Sequence, residues 1–143
     1  MAVVCDTGAI YALYDADDEH HVACRSVVEI ELGPLFLPVV FLAEIDYMLT
    51  ARLGSDAALE FLESVEADAF TLVDLSSEDL FRCRELMTQY QDLSLGIADA
   101  SVVVTAERLQ IQRLFTVDQR HFRVIQPRGL GHFLILPADT EKS

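Results

Sequence analysis

The chain is short of lysine: nine of its ten cationic residues are arginines, and the only lysine, Lys142, lies in the last residues. A receiver domain needs a lysine close to its phosphoaccepting aspartate, so that class is excluded. Glycine is sparse as well, with six in 143 residues, and neither a phosphate-cradling P-loop nor a G-x-G-x-x-G turn is present. Nucleotide-cofactor chemistry lacks its binding loop. The three cysteines, Cys5, Cys24 and Cys83, are odd in number and far apart in apolar or helical contexts, which indicates reduced core thiols rather than a disulfide framework. A cytoplasmic location follows. The opening MAVVCDTGAIYAL lacks the basic segment of a signal peptide, and no apolar run reaches the roughly 18 residues of a membrane span. Positive charge is scarce too, with 10 Lys and Arg against 24 Asp and Glu, and a formal net charge of -14 opposes nonspecific nucleic-acid binding by bulk attraction. Any nucleic-acid contact must be local.

What the chain does have is apolar residues, 52% of the total, enough for one sizeable core. One domain over residues 1–137 with a frayed tail over 138–143 is expected. Ala2 to Cys5 reads as a buried strand ending at Asp6, and Thr7 and Gly8 turn into a short helix. The acidic loop of Asp15, Asp17, Asp18 and Glu19 reads as solvated surface and helix cap. A helix follows over Glu19 to Leu32, stopped by Gly33-Pro34, then a strand over Leu35 to Leu37. Pro38 suits the first position of a helix running to Gly54, which puts Glu44 in its second turn. Asp46, two positions on, points to another face. Next come a helix over Asp56 to Ala67, a strand over Phe70 to Val73 and a helix from Ser77 to Tyr90.

Gly96 to Phe122 carries the strongest signal. Val102, Val103 and Val104 suit a strand, but the length of Ile97 to Gln110, its alanines and its Ala-Glu-Arg-Leu ending favour a helix. Arg113 to Val117 is then a short buried strand, and Phe133 to Pro137 a fifth. Strands alternating with helices imply a three-layer α/β/α sandwich on a mostly parallel, about five-stranded sheet. In a right-handed crossover the first turn of a helix lies beside the last residue of the strand that follows it. Asp6, Glu44, Asp99 and Asp118 therefore converge at the carboxyl edge of the sheet.

Four carboxylates at one edge repel one another unless protons or divalent cations compensate. Oxygen-only ligands select hard ions, so Mg²⁺, with Mn²⁺ as a substitute, fits better than zinc. A phosphatase of the haloacid-dehalogenase type would need an aspartate at position 8, where this chain has glycine.

With these residues in place, the chain resembles the PIN-domain ribonucleases, specifically the VapC-type toxins of bacterial toxin–antitoxin pairs. VVCDTGAI is similar to the family's opening strand and first acid, LAEIDYML to its glutamate helix, and LGIADASVVVTAERL with LFTVDQRHF to its third and fourth acids. Gly8 departs from the serine often found there. The resemblance implies metal-dependent endonucleolytic cleavage of structured RNA, transfer or ribosomal. Asp6 and Asp99 would be the principal metal ligands, and Glu44 and Asp118 would hold a second ion or orient water. Thr7 and Thr116 would hydrogen-bond the acids, Arg120 and Arg123 would grip the RNA backbone, and His121 would contact RNA. Five arginines, Arg108, Arg113, Arg120, Arg123 and Arg128, fall in this segment, and Asp92 is a candidate outer ligand. The implied partners are a VapB-like antitoxin, with an arginine often inserted among the acids, and a second copy of the chain, giving a homodimer that forms a heterotetramer or larger assembly with the antitoxin. A catalytically inactive PIN-fold binding module is the alternative.

Overall fold

In the computed structural model, which describes residues 1–30 and 33–140, strands and helices alternate along almost the whole chain. The order is β1 (Val3–Cys5), α1 (Thr7–Tyr14), α2 (His21–Ile30), β2 (Leu35–Pro38), α3 (Phe41–Leu53), α4 (Ser55–Glu66) and β3 (Thr71–Val73). Then follow α5 (Ser77–Gln89), a 3₁₀ turn (Gln91–Leu93), α6 (Ile97–Leu109), β4 (Arg113–Phe115), α7 (Gln119–Phe122) and β5 (Leu134–Leu136). The five strands form one parallel sheet in the order β3-β2-β1-β4-β5. All three residues of β1 are buried, as expected for a strand covered on both faces.

Helix α6 explains the ambiguity of its own sequence. It packs on β1 and β2 on one side and against α5 on the other, so Ala100 and Val102 through Val104 are all buried around its circumference. A helix sandwiched in this way has no polar face. Its three valines, which on propensity alone suit a strand, are accommodated by burial. On the other side of the molecule, α1 packs on α2 and α3, and α3 packs on α4.

The strand order places a topological switch at the centre. From β1 the chain winds outward through β2 to β3, then returns through α5 and α6 to β4 on the opposite side of β1. In open parallel sheets the crevice at the carboxyl ends of such a strand pair is the usual ligand site. Here that crevice opens beside Asp6 and Thr116.

Three expectations about the elements change. Pro38 does not start a helix: it is the last residue of β2, opposite Val73, and the Val39 N–H continues the ladder to the Val73 carbonyl at 2.9 Å. Helix α3 therefore starts at Phe41, and Glu44 moves from the expected second turn into the first. Asp118 opens a further short helix, α7, that was not among the expected elements. The segment after β5 is not frayed through Thr140, because Asp139 is 3% exposed and accepts the Ile135 N–H at 2.8 Å. Residues 141–143, and the C-terminal end of the helix expected over Glu19 to Leu32, lie outside the described residues.

Candidate active site

Asp6 is held from both sides of the crevice. It N-caps α1, its Oδ1 accepting the Thr7 N–H at 2.8 Å, while its Oδ2 accepts the Thr116 hydroxyl at 2.8 Å. The same Thr116 oxygen accepts the Asp118 N–H at 3.0 Å. One hydroxyl thus ties the acid after β1 to the backbone of the acid after β4. Asp118 in turn caps α7, its Oδ1 accepting the Arg120 N–H at 3.1 Å. Asp99 stands in the first turn of α6, where the helix dipole favours a carboxylate.

The fourth member is His121. Its side chain is buried, with Nδ1 3.2 Å from Asp99 Oδ2 and 3.6 Å from Asp118 Oδ2. Neither contact has hydrogen-bond alignment, so Nδ1 is a buried polar atom aimed at two carboxylates without a formed bond. Its approach to Asp118 follows from i,i+3 spacing on α7. The sequence carries that spacing, but without α7 it reads as a loop, and His121 as a surface contact.

The electrostatics follow from this packing. Burial pushes the Asp6 carboxyl up from 3.8 to about 6, against the Thr116 and Thr7 hydrogen bonds and with help from Asp99 and Asp118. Burial also raises Asp99, Asp118 adds to the effect, and His121 opposes it. Among the described residues no arginine pairs with Asp6, Asp99 or Asp118.

Glu44 does not join the three aspartates. It is exposed on α3 and, among the described residues, makes no hydrogen bond or ion pair. Asp46 and Asp92 are exposed as well. Thr7 contributes its backbone N–H, while its buried hydroxyl has no hydrogen-bond partner. At Gly8 an added Cβ would come within 2.8 Å of Val117 Cγ2, which accounts for glycine at that position.

The arginine cluster disperses. Arg108 pairs with Asp79 on α5 and also reaches the Asp74 carbonyl, and Arg128 lies 3.8 Å from Glu85. Arg113 begins β4, at the edge of the sheet opposite the acids. Arg123 is committed to a two-pronged pair with the buried Asp139, at 2.7 and 2.8 Å, so its guanidinium ties α7 to the C-terminal segment instead of standing ready for phosphate. Arg120 is exposed beside the acids and, among the described residues, has no ion pair.

A divalent cation fits this donor set. Three carboxylates, one buried with its pKa at about 6, lie close to one another and to one imidazole, and oxygen-rich sets of this kind suit Mg²⁺ or Mn²⁺. Among the described residues no three such side chains converge closely enough to hold an ion as they stand.

The family model for the PIN domain matches residues 3–126, most of the chain. The protein belongs to the PIN domain family. Within it, the chain is 33% identical over 135 residues to Ribonuclease VapC26 of Mycobacterium tuberculosis, covering 94% of this chain and 100% of that one, which places it among the VapC ribonucleases. Solved structures that share the fold include two toxin structures. VapC20 of Mycobacterium tuberculosis, described as a toxin that cleaves the sarcin-ricin loop, has a TM-score of 0.74 at 16% identity, over 81% of this chain and 89% of that one. VapBC2 from Rickettsia felis, bound to a fragment of its promoter DNA, has a TM-score of 0.67 at 14% identity, over 94% of this chain and 97% of that one.

Proposed function

We propose that this chain is the toxin of a toxin–antitoxin pair and cuts structured RNA, of the transfer or ribosomal class, at the crevice formed by Asp6, Asp99 and Asp118. The observation that carries the reading is the Thr116 hydroxyl, which holds Asp6 and the backbone of Asp118 together at the switch point of the sheet. Asp6 and Asp99 would be the principal holders of Mg²⁺, for which Mn²⁺ would substitute. Asp118 and Glu44 would orient water or hold a second ion. The bound ion would polarise the scissile phosphate and make water a stronger nucleophile. Thr7 and Thr116 position Asp6, and Arg120 contributes a phosphate contact.

The partners in this reading are the RNA and a VapB-like antitoxin, together with a second copy of the chain, in the cytoplasm. No helix among the described residues is long and apolar enough to cross a membrane. The test is cleavage of total transfer and ribosomal RNA by purified protein with 5 mM-scale Mg²⁺, roughly the range in which weak carboxylate sites fill, and with excess chelator. Cleavage that needs the ion and disappears in Asp99→Asn supports the reading; cleavage of equal rate in chelator overturns it.

A further inference from the structure

Beside the acids lies a small cavity that the cleavage chemistry leaves unused. It is bounded by Thr116 and Val117 at the end of β4, Gln119 at the start of α7, His20 and Ala23 at the start of α2, and Pro137 after β5, with a volume of about 200 Å³. Thr116 belongs to both places, since its hydroxyl holds Asp6 while its residue lines the cavity. We propose that this cavity is a nucleobase subsite, taking one unstacked base of the RNA strand next to the phosphate held at the acids; the proposal rests on the ribonuclease reading above.

Three observations point to a base. Val117, Ala23 and Pro137 give the cavity apolar walls, and beside Thr116, whose hydroxyl is engaged with Asp6, its polar side chains are His20 and Gln119, which suits a flat ring that needs apolar contact on its faces and hydrogen bonds at its edge. Gln119 gives its Oε1 to Arg123 at 2.9 Å, which leaves its amide Nε2 as a donor for a base carbonyl or ring nitrogen. The volume is below the roughly 300 Å³ at which pockets for drug-sized ligands begin, so there is room for one ring system and not for two stacked nucleotides. The charge balance adds a reason. A chain of net charge -14, with Arg123, Arg108 and Arg128 already facing carboxylates, has little cationic surface left for the backbone. Base contact adds grip beyond the phosphate contact of Arg120.

The test compares 5′-nucleoside monophosphates (AMP, GMP, CMP and UMP) with ribose 5-phosphate, which carries the phosphate and sugar but no base. Each is titrated in Mg²⁺ into the full chain and followed by backbone amide NMR shifts. At least one nucleotide should bind about tenfold tighter than ribose 5-phosphate and shift the amides of Ala23, Thr116 and Val117. Ala23 is exposed on α2, so Ala23→Leu fills the cavity without disturbing the core, and it should erase that gap while leaving ribose 5-phosphate affinity unchanged. Gln119→Ala should narrow the gap and change which nucleotide is preferred. Equal binding of all probes, or a gap that survives Ala23→Leu, overturns the subsite. RNA cleavage by the same wild-type sample separates the two readings. Cleavage without a base-dependent gap removes the subsite and leaves the ribonuclease, whereas a gap in a protein that cuts no RNA removes the ribonuclease and with it the RNA strand as occupant.

Discussion

Replacing Asp6 with asparagine should stabilise the metal-free protein at neutral pH and destabilise it slightly in acid. Burial lifts the Asp6 carboxyl from 3.8 to about 6, so the folded state binds its proton more tightly than the unfolded state does. Stability attributable to this group is fully present below about pH 4, falls as pH rises towards 6, and is then constant at its lower value. Two pH units of displacement correspond to about 3 kcal/mol, at roughly 1.4 kcal/mol per unit. Asparagine escapes that cost but weakens a contact. It still accepts the Thr7 N–H, yet presents an amide to Thr116, whose hydroxyl must find a new acceptor at a cost of about 1 kcal/mol. The net gain at pH 7 is about 2 kcal/mol, or a Tm rise of about 6 °C for a chain of this size. Near pH 4 to 5 the two proteins should be equally stable, with wild type ahead below that. The assay is thermal unfolding of both proteins in excess chelator from pH 4 to 8. A difference that does not change with pH, or an asparagine variant that is less stable at pH 7, would refute the reasoning. Added Mg²⁺ should raise the Tm of wild type more than that of the variant, since it binds the native state through the carboxylate.

Asp99→Asn should lower RNA cleavage by at least about 10³-fold with its far-ultraviolet spectrum unchanged, whereas Asp46→Asn, exposed on α3, should cleave like wild type. Thr116→Val removes the hydroxyl shared by Asp6 and the Asp118 N–H, and cleavage should fall by about 10- to 100-fold. Arg123→Ala removes the charged partner of the buried Asp139, which keeps the Ile135 N–H, and should cost about 1–3 kcal/mol in unfolding experiments without altering the salt dependence of RNA binding. Arg120→Ala should do the reverse, lowering the salt slope by about one and leaving the Tm in place.

The parallel fold and the three aspartates were legible because they depend on order along the chain. An acid placed after a strand, or in the first turn of a returning helix, reaches the carboxyl edge whatever the packing details, as Asp6, Asp99 and Asp118 do. Glu44 was less legible because its place depends on where α3 begins, and one ladder bond from Val39 to Val73 moved that start from Pro38 to Phe41. The pairing of Arg108, Arg123 and Arg128 away from the acids was hidden for a different reason. Nearness in sequence put five together, but α6 carries Arg108 to the far end of the helix from Asp99, and the partners Asp79, Glu85 and Asp139 are distant along the chain. Pairings of that kind are fixed by tertiary packing, which no local pattern reveals. His121 lay between the two cases: its i,i+3 spacing from Asp118 was visible, but the short helix that makes the spacing meaningful was not.

The central claim, hydrolysis of RNA by ion-activated water at this crevice, is tested most directly by the ends of the products. The substrate is an RNA whose scissile position has been mapped and then resynthesised with 2′-deoxyribose at that position alone, incubated with protein and Mg²⁺. Water attack at phosphorus leaves a 5′-phosphate and a 3′-hydroxyl and does not use the 2′-hydroxyl, so the deoxy substrate should be cut at the same position and yield those ends. Attack by the RNA's own 2′-hydroxyl, assisted by a histidine such as His20, His21, His121 or His132, would leave a 2′,3′-cyclic phosphate on normal RNA and spare the deoxy substrate completely. That second result would contradict the account even if Asp99→Asn were inactive.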